Sequence, residues 1–312
     1  LVSTYLRGFC MGAADAVPGV SGGTIALITG IYGRMITAIT SINPGRLGRI
    51  VRGLRTDNRD DAITALQELD AGFLFVLGTG ILTAIITVLR LISILLETNP
   101  VETYGFFLGL IAASAVILSG DVSLTTRGRK AAAVGGFVIA FVVSGYAAAT
   151  ADSTLPLVFV SGTIAISAMI LPGVSGSLLL LMLGQYEYMS TTLREFTDAL
   201  GAVLSGGDMA TVIDSGIPVA VFLTGAIVGL FTVAHSVRLA LKQYREATVA
   251  FLVALIFGSL RAPVEQTSIE LATTGGSWNG ETFGLFIGFG IVGTVAVVVV
   301  NYLAGGIETS SV

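Results

Sequence analysis

The same five residues, Pro-Gly-Val-Ser-Gly, interrupt two long apolar blocks of the chain, at 18–22 and at 172–176. The blocks cover 3–42 and 155–189, and the arms on either side of each interruption are too short to cross a membrane comfortably. Proline removes a backbone donor, so a break at membrane depth is tolerated only where protein or a water-filled cavity surrounds it. We therefore predict that each block is a re-entrant helical hairpin.

The composition indicates an integral membrane protein. Hydrophobic residues make up 54% of the 312 residues and charged residues only 12%, whereas about a quarter of a soluble domain is charged. Apolar stretches near the length of a membrane span occur at 72–96, 103–119, 131–149, 217–237, 247–262 and 283–303. The predicted fold class is an all-α polytopic membrane protein with six transmembrane helices and two hairpins.

The two interrupted blocks are copies of each other. Residues 17–22 (VPGVSG) match 171–176 (LPGVSG), and 30–32 (GIY) match 184–186 (GQY) at the same offset. This predicts two repeats in one membrane domain: 1–150, with hairpin 3–42, an amphipathic linker at 43–70 and three spans, and 151–312, with hairpin 155–189, a linker at 190–216 and three spans. Because three is odd, the halves should lie in opposite orientations.

Loop charges predict which side each hairpin enters. Arginine and lysine concentrate in 43–59, 120–130 and 238–246, whereas the remaining loops are acidic, with Arg194 and Arg261 as minor exceptions. The positive-inside rule then places the first hairpin on the cytoplasmic side and the second outside, so that the breaks meet near the midplane. Apolar residues between the arginines of 43–59 favour an interfacial helix, and a solvated charged loop is the alternative.

The two breaks predict an anion site. A helix that begins at a Gly/Ser-rich break points free N–H groups and a partial positive charge into it, and phosphate suits such a cage. Close packing of hairpins through small residues is the alternative explanation. The candidate phosphate-binding residues at the breaks are Gly19, Ser21, Gly22, Gly23, Thr24, Gly173, Ser175, Gly176 and Ser177.

Two charged residues inside apolar segments are further candidates. Asp15 lies three residues before Pro18, and its repeat counterpart is Met169, so the duplication gives no symmetric reason for a carboxylate there. We predict that Asp15 couples the anion site to a proton or cation, and capping of backbone N–H groups is the alternative. Arg90 is either a counter-charge for phosphate or a side chain that snorkels to the headgroups.

Other classes of function are poorly supported. The net charge of −4 gives no nucleic-acid footprint, and the single Cys10 and single His235 leave no disulfide framework or metal site, so no cofactor is expected. Gly-Val-Ser-Gly resembles the surroundings of intramembrane serine nucleophiles, but His235 is the one histidine available as a base, so we predict no catalytic residues and no enzyme. Tyr186 and Tyr188 are predicted to anchor the chain at the membrane interface.

The run 11–24 (MGAADAVPGVSGGT), followed by Gly30-Ile31-Tyr32, closely resembles the signature of the polyprenyl-phosphate transporter family of the PopT type. The second motif and the placement of the spans fit as well, so the resemblance covers nearly the whole chain. It implies a flippase that returns a carrier lipid, undecaprenyl or dolichyl phosphate, from the outer to the inner leaflet of the cytoplasmic membrane. The lipid would then be reused in envelope glycan synthesis or glycosylation.

The resemblance and the residues favour one mechanism. The phosphate headgroup would be held between the two breaks while the prenyl tail stays among membrane lipids, and rocking of one repeat against the other would give alternating access. The expected partners are polyprenyl phosphate, membrane lipids and H⁺ or Na⁺, with no nucleic acid. A small-anion channel or exchanger could use the same half-helix site, whereas a pure scaffold would leave Asp15 and both breaks unexplained.

Overall fold

A computed structural model describes residues 1–41, 45–46, 48–49, 59–120, 122–149, 153–169, 175–203, 206 and 208–303, and most of these residues are α-helical. These residues contain no β-strand. The helices are α1 Val2–Ala16, α2 Gly22–Ile28, α3 Tyr32–Thr40, α4 Arg59–Glu68, α5 Ala71–Thr98, α6 Pro100–Ser119, α7 Arg127–Ala149, α8 Leu155–Met169, α9 Gly176–Met182, α10 Tyr186–Val203, α11 Met209–Phe231, α12 Val233–Ser259, α13 Arg261–Thr273 and α14 Gly280–Leu303.

Six helical segments of the described chain are long and apolar enough to cross a membrane, which confirms the predicted number of spans. They are Ala71–Thr98, Pro100–Ser119, Arg127–Gly145, Met209–Leu230, Lys242–Thr273 and Gly280–Tyr302. The fourth begins earlier than the predicted 217 because Asp208 caps α11, with its carboxylate accepting from the Ala210 N–H at 3.0 Å. The fifth extends past the predicted 262 because α13 follows α12 after Leu260 alone.

The outer faces of these helices carry large apolar side chains. Phe75 on α5 is 76% exposed and Ile291 on α14 is 61% exposed, and Val134 and Ile227 are similarly open. So much exposed apolar surface would be a liability in water, but it is the surface that hydrocarbon requires. The chain is therefore a multi-pass membrane protein.

The chain forms two compact units. The first comprises Leu1–Ala14 and Gly22–Ile85, and the second comprises Asp15–Ser21 and Ile86–Val312. The first unit has a core of Met11, Ala26, Ile31, Ala38, Phe73 and Leu77. The predicted division into repeats at residue 150 concerns ancestry and orientation, and it stays a prediction.

Ion pairs hold the start of α5 and the preceding linker in the first unit. Arg34 lies over the ring of Phe73 and contacts Asp70, with an Nε to Oδ2 distance of 2.6 Å. Glu68 pairs with Arg49 at 2.6 Å and with Arg46 at 3.2 Å. The predicted interfacial helix of 43–59 lies largely outside the described residues, including Leu47, Ile50, Val51 and Leu54.

The core of the second unit gathers side chains from seven of its helices. Tyr104 and Phe107 of α6 and Tyr186 of α10 stack edge to face, with ring centroids 6.2 Å and 5.7 Å apart. Such a geometry adds to the stability that burial of aromatic rings provides. The buried cluster also includes Ile92, Leu96, Leu110, Ile111, Ala115, Leu178, Leu181, Ile256, Ala262 and Phe286.

Glycines allow α1 and α5 to cross closely in the first unit. A Cβ added at Gly8 would overlap the carbonyl oxygen of Leu77, and one at Gly80 would overlap the carbonyl oxygen of Tyr5. Small residues at a crossing let helix backbones approach, which is how helices associate in lipid.

The same crossing is built again between α8 and α11 in the second unit. A Cβ at Gly162 would overlap the carbonyl oxygen of Phe222, and one at Gly225 would overlap that of Phe159. Gly8 and Gly162 are separated by 154 positions, as are the two Pro-Gly motifs. The packing of the helix before each break therefore repeats along with the sequence.

Helices of the two predicted repeats are interlocked in the second unit. Helix α6 packs against α14, and α7 packs against α12. A Cβ at Gly109 would overlap the carbonyl oxygen of Gly290, and one at Gly136 would overlap that of Phe251. At these two glycines the backbones of the predicted halves are in direct contact.

Candidate functional site

The first Pro-Gly break separates two short helices. Helix α1 ends at Ala16, the Val20 N–H donates to the Val17 carbonyl at 3.3 Å, and α2 begins at Gly22. Gly19 has a φ of 88°, a left-handed conformation that glycine adopts without strain. A Cβ there would also press on the backbone of Ile111, so Gly19 is required for both conformation and space.

Two hydrogen bonds from other helices of the second unit hold this break in place. The Tyr186 hydroxyl donates to the Ala16 carbonyl at 2.6 Å, and the Ser114 hydroxyl donates to the Gly19 carbonyl at 2.6 Å. These carbonyls lie at or just beyond the end of α1, where intrahelical donors run out. Two side chains therefore supply the partners that the broken helix lacks.

Apolar contacts place the first break and the helix after the second break on the same core. Val17 and Val20 from the first break pack against the buried cluster that contains Leu178 and Leu181 of α9, the helix that follows the second break. Pro18 between the valines is fully buried. The first break and the helix after the second break thus belong to one packed region of the second unit.

The second break ends in a capped helix. Ser175 directly precedes α9, and its hydroxyl accepts from the Leu178 N–H at 3.3 Å. The Ser175 and Ser177 hydroxyl oxygens are 2.9 Å apart, and both residues are buried. Gly173 lies outside the described residues, so its predicted role stays a prediction.

The chain has the same local structure after each break. Gly30 and Gly184 have φ values of 70° and 66°. The N–H of the next residue bonds back to the carbonyl of Ala26 in one case and of Leu180 in the other, at 3.0 and 2.9 Å. The repeated motifs therefore encode repeated turns as well as repeated breaks.

Ser21 stands out among the candidates. It is 7% exposed, and its hydroxyl has no hydrogen-bond partner among the described residues. A buried hydroxyl without a partner costs free energy, so such a group is usually satisfied by water or by a ligand. In the first break this hydroxyl is the clearest group available to an incoming anion.

The remaining candidates of the first motif divide between the units. Gly22, Gly23 and Thr24 open α2 in the first unit, whereas Gly19 and Ser21 belong to the second. Asp15 is half-buried in the last turn of α1, also within the second unit. A carboxylate there lies near the negative end of the helix dipole, which is an unfavourable position for a negative charge.

Arg90 pairs with a residue that the sequence analysis did not connect to it. Its guanidinium contacts the carboxylate of Asp198 on α10, and both side chains are 49% exposed. No other ion pair of Arg90 occurs within the described part of the chain. Arg90 is therefore compensated by a carboxylate in this structure.

The expectation that Tyr186 anchors the chain at the membrane interface is wrong. Tyr186 is 2% exposed, because its ring packs on Phe107 and its hydroxyl reaches the first break. Sequence reasoning also missed Ser114. The available signal was the tyrosine that follows the turn in both repeats, Tyr32 and Tyr186, which an interfacial anchor does not explain.

Comparisons with known proteins agree on one family. Residues 11–277, which include both motifs, match the family described as undecaprenyl phosphate translocase-like. A protein of Vibrio cholerae serotype O1 named polyprenyl-phosphate transporter is 36% identical over 259 residues, covering 83% of this chain and 76% of its own. A Staphylococcus aureus protein of the same name is 28% identical over 270 residues, covering 82% and 84%. No solved structure matches.

Proposed function

The chain belongs to the undecaprenyl phosphate translocase-like family, and on this premise we propose that it transports a polyprenyl phosphate across the cytoplasmic membrane. The lipid, of undecaprenyl or dolichyl type, moves from the outer to the inner leaflet and is reused in envelope glycan synthesis or glycosylation. The protein acts as a flippase rather than an enzyme, in keeping with the transporter names of its relatives.

One observation carries the proposal beyond the family. Val17 and Val20 of the first break share one apolar core of the second unit with Leu178 and Leu181 of α9, the helix that follows the second break. Buried serines flank both regions, Ser21 directly after Val20 and Ser175 with Ser177 at the start of α9. Hydroxyls and backbone N–H groups inside low-dielectric surroundings bind a phosphate more strongly than they would in water. In this proposal the phosphate contacts Gly19, Ser21, Ser175, Gly176 and Ser177, which all lie in the second unit. The predicted roles of Gly22, Gly23, Thr24, Gly173 and Arg90 in phosphate binding stay predictions.

Helix lengths support re-entrant hairpins. Helices α1 and α8 have 15 residues each, which is roughly 22 Å of helix at 1.5 Å per residue, whereas the hydrocarbon core is about 30 Å thick. The two helices therefore end within the membrane, and α2 and α9 return toward the side of origin. With three spans after each hairpin, the two repeats lie in opposite orientations.

The close packing of α6 on α14 and of α7 on α12 limits how the lipid site can open alternately to the two leaflets. Rocking of one complete repeat would separate α6 from α14 and α7 from α12, whose glycines lie in backbone contact. Close-packed interfaces do not deform continuously. Alternating access therefore leaves these two helix pairs together.

Asp15 couples transport to a proton or sodium gradient in this proposal. It directly precedes the first break, inside an apolar block. The expected result for Asp15→Asn is a folded protein whose transport is slow or no longer responds to pH and sodium. Asp214→Asn, an exposed carboxylate of α11, is the control and keeps the wild-type response. An unchanged response in Asp15→Asn removes this role.

The function is tested by leaflet exchange in proteoliposomes. A fluorescent short-chain polyprenyl phosphate is followed with a membrane-impermeant quencher, and chloride flux is measured on the same vesicles. Lipid exchange without chloride flux supports the transporter. Chloride flux without lipid exchange would instead establish the small-anion channel or exchanger.

A further inference from the structure

A cavity of about 500 Å³ lies among α5, α10 and α11 in the second unit. Its charged lining comes from Arg90 on α5 and from Arg194, Glu195 and Asp198 on α10, and its apolar wall includes Ile94 and Ala199. None of the residues that line the cavity belongs to either Pro-Gly motif. The transport mechanism has so far given it no role.

Two arginines in this position need an explanation. Arg90 lies within the apolar helix Ala71–Thr98, eight residues before its end, and a charge inside a span is costly and rarely without function. Arg194 of α10 is, with Arg261, one of two cations on the predicted outer side, which is otherwise acidic. The guanidinium groups of Arg90 and Arg194 line the same cavity.

Each arginine is held by a carboxylate from the other helix. Arg90 of α5 contacts Asp198 of α10, and Arg194 of α10 contacts Glu97 of α5, with one Nη1 to Oε2 distance of 3.1 Å. Both carboxylates are 49% exposed, so either can turn to water at little cost. The ion pairs therefore neutralise the charge of both arginines, yet another anion can displace the carboxylates.

We propose that this cavity is the loading site for the phosphate headgroup of the transported lipid on the outer side of the membrane, an inference that rests on the proposed function. Arg90 and Arg194 bind the phosphate, and Asp198 and Glu97 are the internal counter-ions that it displaces. Guanidinium groups match a phosphate with parallel hydrogen bonds, and a dianion competes well against a single carboxylate. Ile94, Ala199 and Ala202 accommodate the first isoprene units.

The loading site predicts opposite effects for substitutions of the arginines and of the carboxylates. Leaflet exchange is measured against the concentration of polyprenyl phosphate for Arg90→Gln, Arg194→Gln, Asp198→Asn and Glu97→Gln. The loading site predicts that each arginine variant raises the half-saturating concentration about tenfold, with a maximal rate within about twofold of wild type. The two carboxylate variants should lower the half-saturating concentration, because each frees an arginine to bind the lipid phosphate.

A structural role predicts a different pattern. If the ion pairs only held α5 to α10, removal of either partner would impair transport in the same direction, and that result would overturn the proposal. Arg129→Gln, which loses an ion pair with Glu246 remote from the cavity, is the matched control and should leave the half-saturating concentration unchanged.

The experiment separates this inference from the proposed function. Exchange by the wild type together with unchanged half-saturation in both arginine variants would overturn the loading site alone. Absence of exchange by the wild type would overturn the proposed function and the loading site together. Saturable uptake of inorganic phosphate in place of lipid exchange would assign the cavity to the free ion and also overturn the proposal.

Discussion

Single side chains keep the first break in shape. Tyr186 and Ser114 donate to carbonyls 170 and 95 positions away in the sequence, at the end of α1. In the sequence, a tyrosine beside a charged residue is typical of an interfacial anchor. The contact was not predictable because no local pattern encodes a partner at such a separation, and the same holds for Arg90 and Asp198.

Replacement of Tyr186 by Phe tests the hydrogen bond to Ala16. The change removes the hydroxyl and leaves the Ala16 carbonyl without this donor inside the protein, at a cost of about 1–3 kcal/mol. We expect a lower unfolding temperature in detergent. Tyr302→Phe, at a side chain 82% exposed, is the control and should unfold as the wild type does. Equal unfolding temperatures for all three proteins would contradict the prediction.

Asp70 is a second residue whose role follows from geometry. Its backbone is left-handed, with a φ of 49°, and the hydrogen bond from Arg34 lowers the pKa of its carboxyl below the usual range. Because the folded-state pKa is depressed, the stabilisation is complete above the unfolded pKa of about 3.9 and is lost as the pH falls through the folded value.

Asp70→Asn isolates that contribution, since asparagine also tolerates the left-handed backbone. Near neutral pH the variant should unfold at a slightly lower temperature than the wild type, and the difference should shrink as the pH falls below about 4. High salt should reduce it as well, because the pair is exposed. A difference that is independent of pH would show that the ion pair is not its cause.

Whole elements were more predictable than their contacts. The six spans follow from apolar length alone, and the repeated turns at Gly30 and Gly184 follow from the repeated motif. The start of α11 was misplaced because the hydropathy pattern misses a helix that Asp208 begins in polar sequence. Which helices cross through their glycines required the structure, because glycine is frequent in every span.

The crossing of α1 and α5 gives a matched pair of substitutions on one helix. Gly80→Ala places a methyl group against the carbonyl of Tyr5 and should cost about 1–3 kcal/mol. Gly78→Ala, where nothing lies within 4 Å, should be neutral or stabilise the helix by up to about 1 kcal/mol. The yield of folded protein and its unfolding temperature report both, and equal effects would refute the close crossing.

At the scale of the whole molecule, a polyprenyl phosphate requires different surroundings for its two ends. The exposed apolar faces of α5, α7, α11 and α14 suit the prenyl tail and the membrane lipids. The buried hydroxyls at the breaks suit the headgroup. Composition and the repeated motif predicted both features, whereas the grouping of residues 15–21 with α9 in one unit came from the structure.

The central claim is that serine hydroxyls at the two breaks hold the phosphate during transport. The most direct test is leaflet exchange of polyprenyl phosphate by the double variant Ser21→Ala with Ser177→Ala, which leaves the Ser175 cap of α9 in place. The control is Ser144→Ala with Ser161→Ala, two buried serines of the second unit whose hydroxyls also have no hydrogen-bond partner among the described residues.

Both double variants should fold and reconstitute as the wild type does. We expect exchange by Ser21→Ala with Ser177→Ala to fall at least about tenfold, because hydrogen bonds to a charged group are each worth about 1.5–3 kcal/mol, whereas the control should exchange at the wild-type rate. Equal rates in the two double variants would contradict the claim that the breaks bind the phosphate.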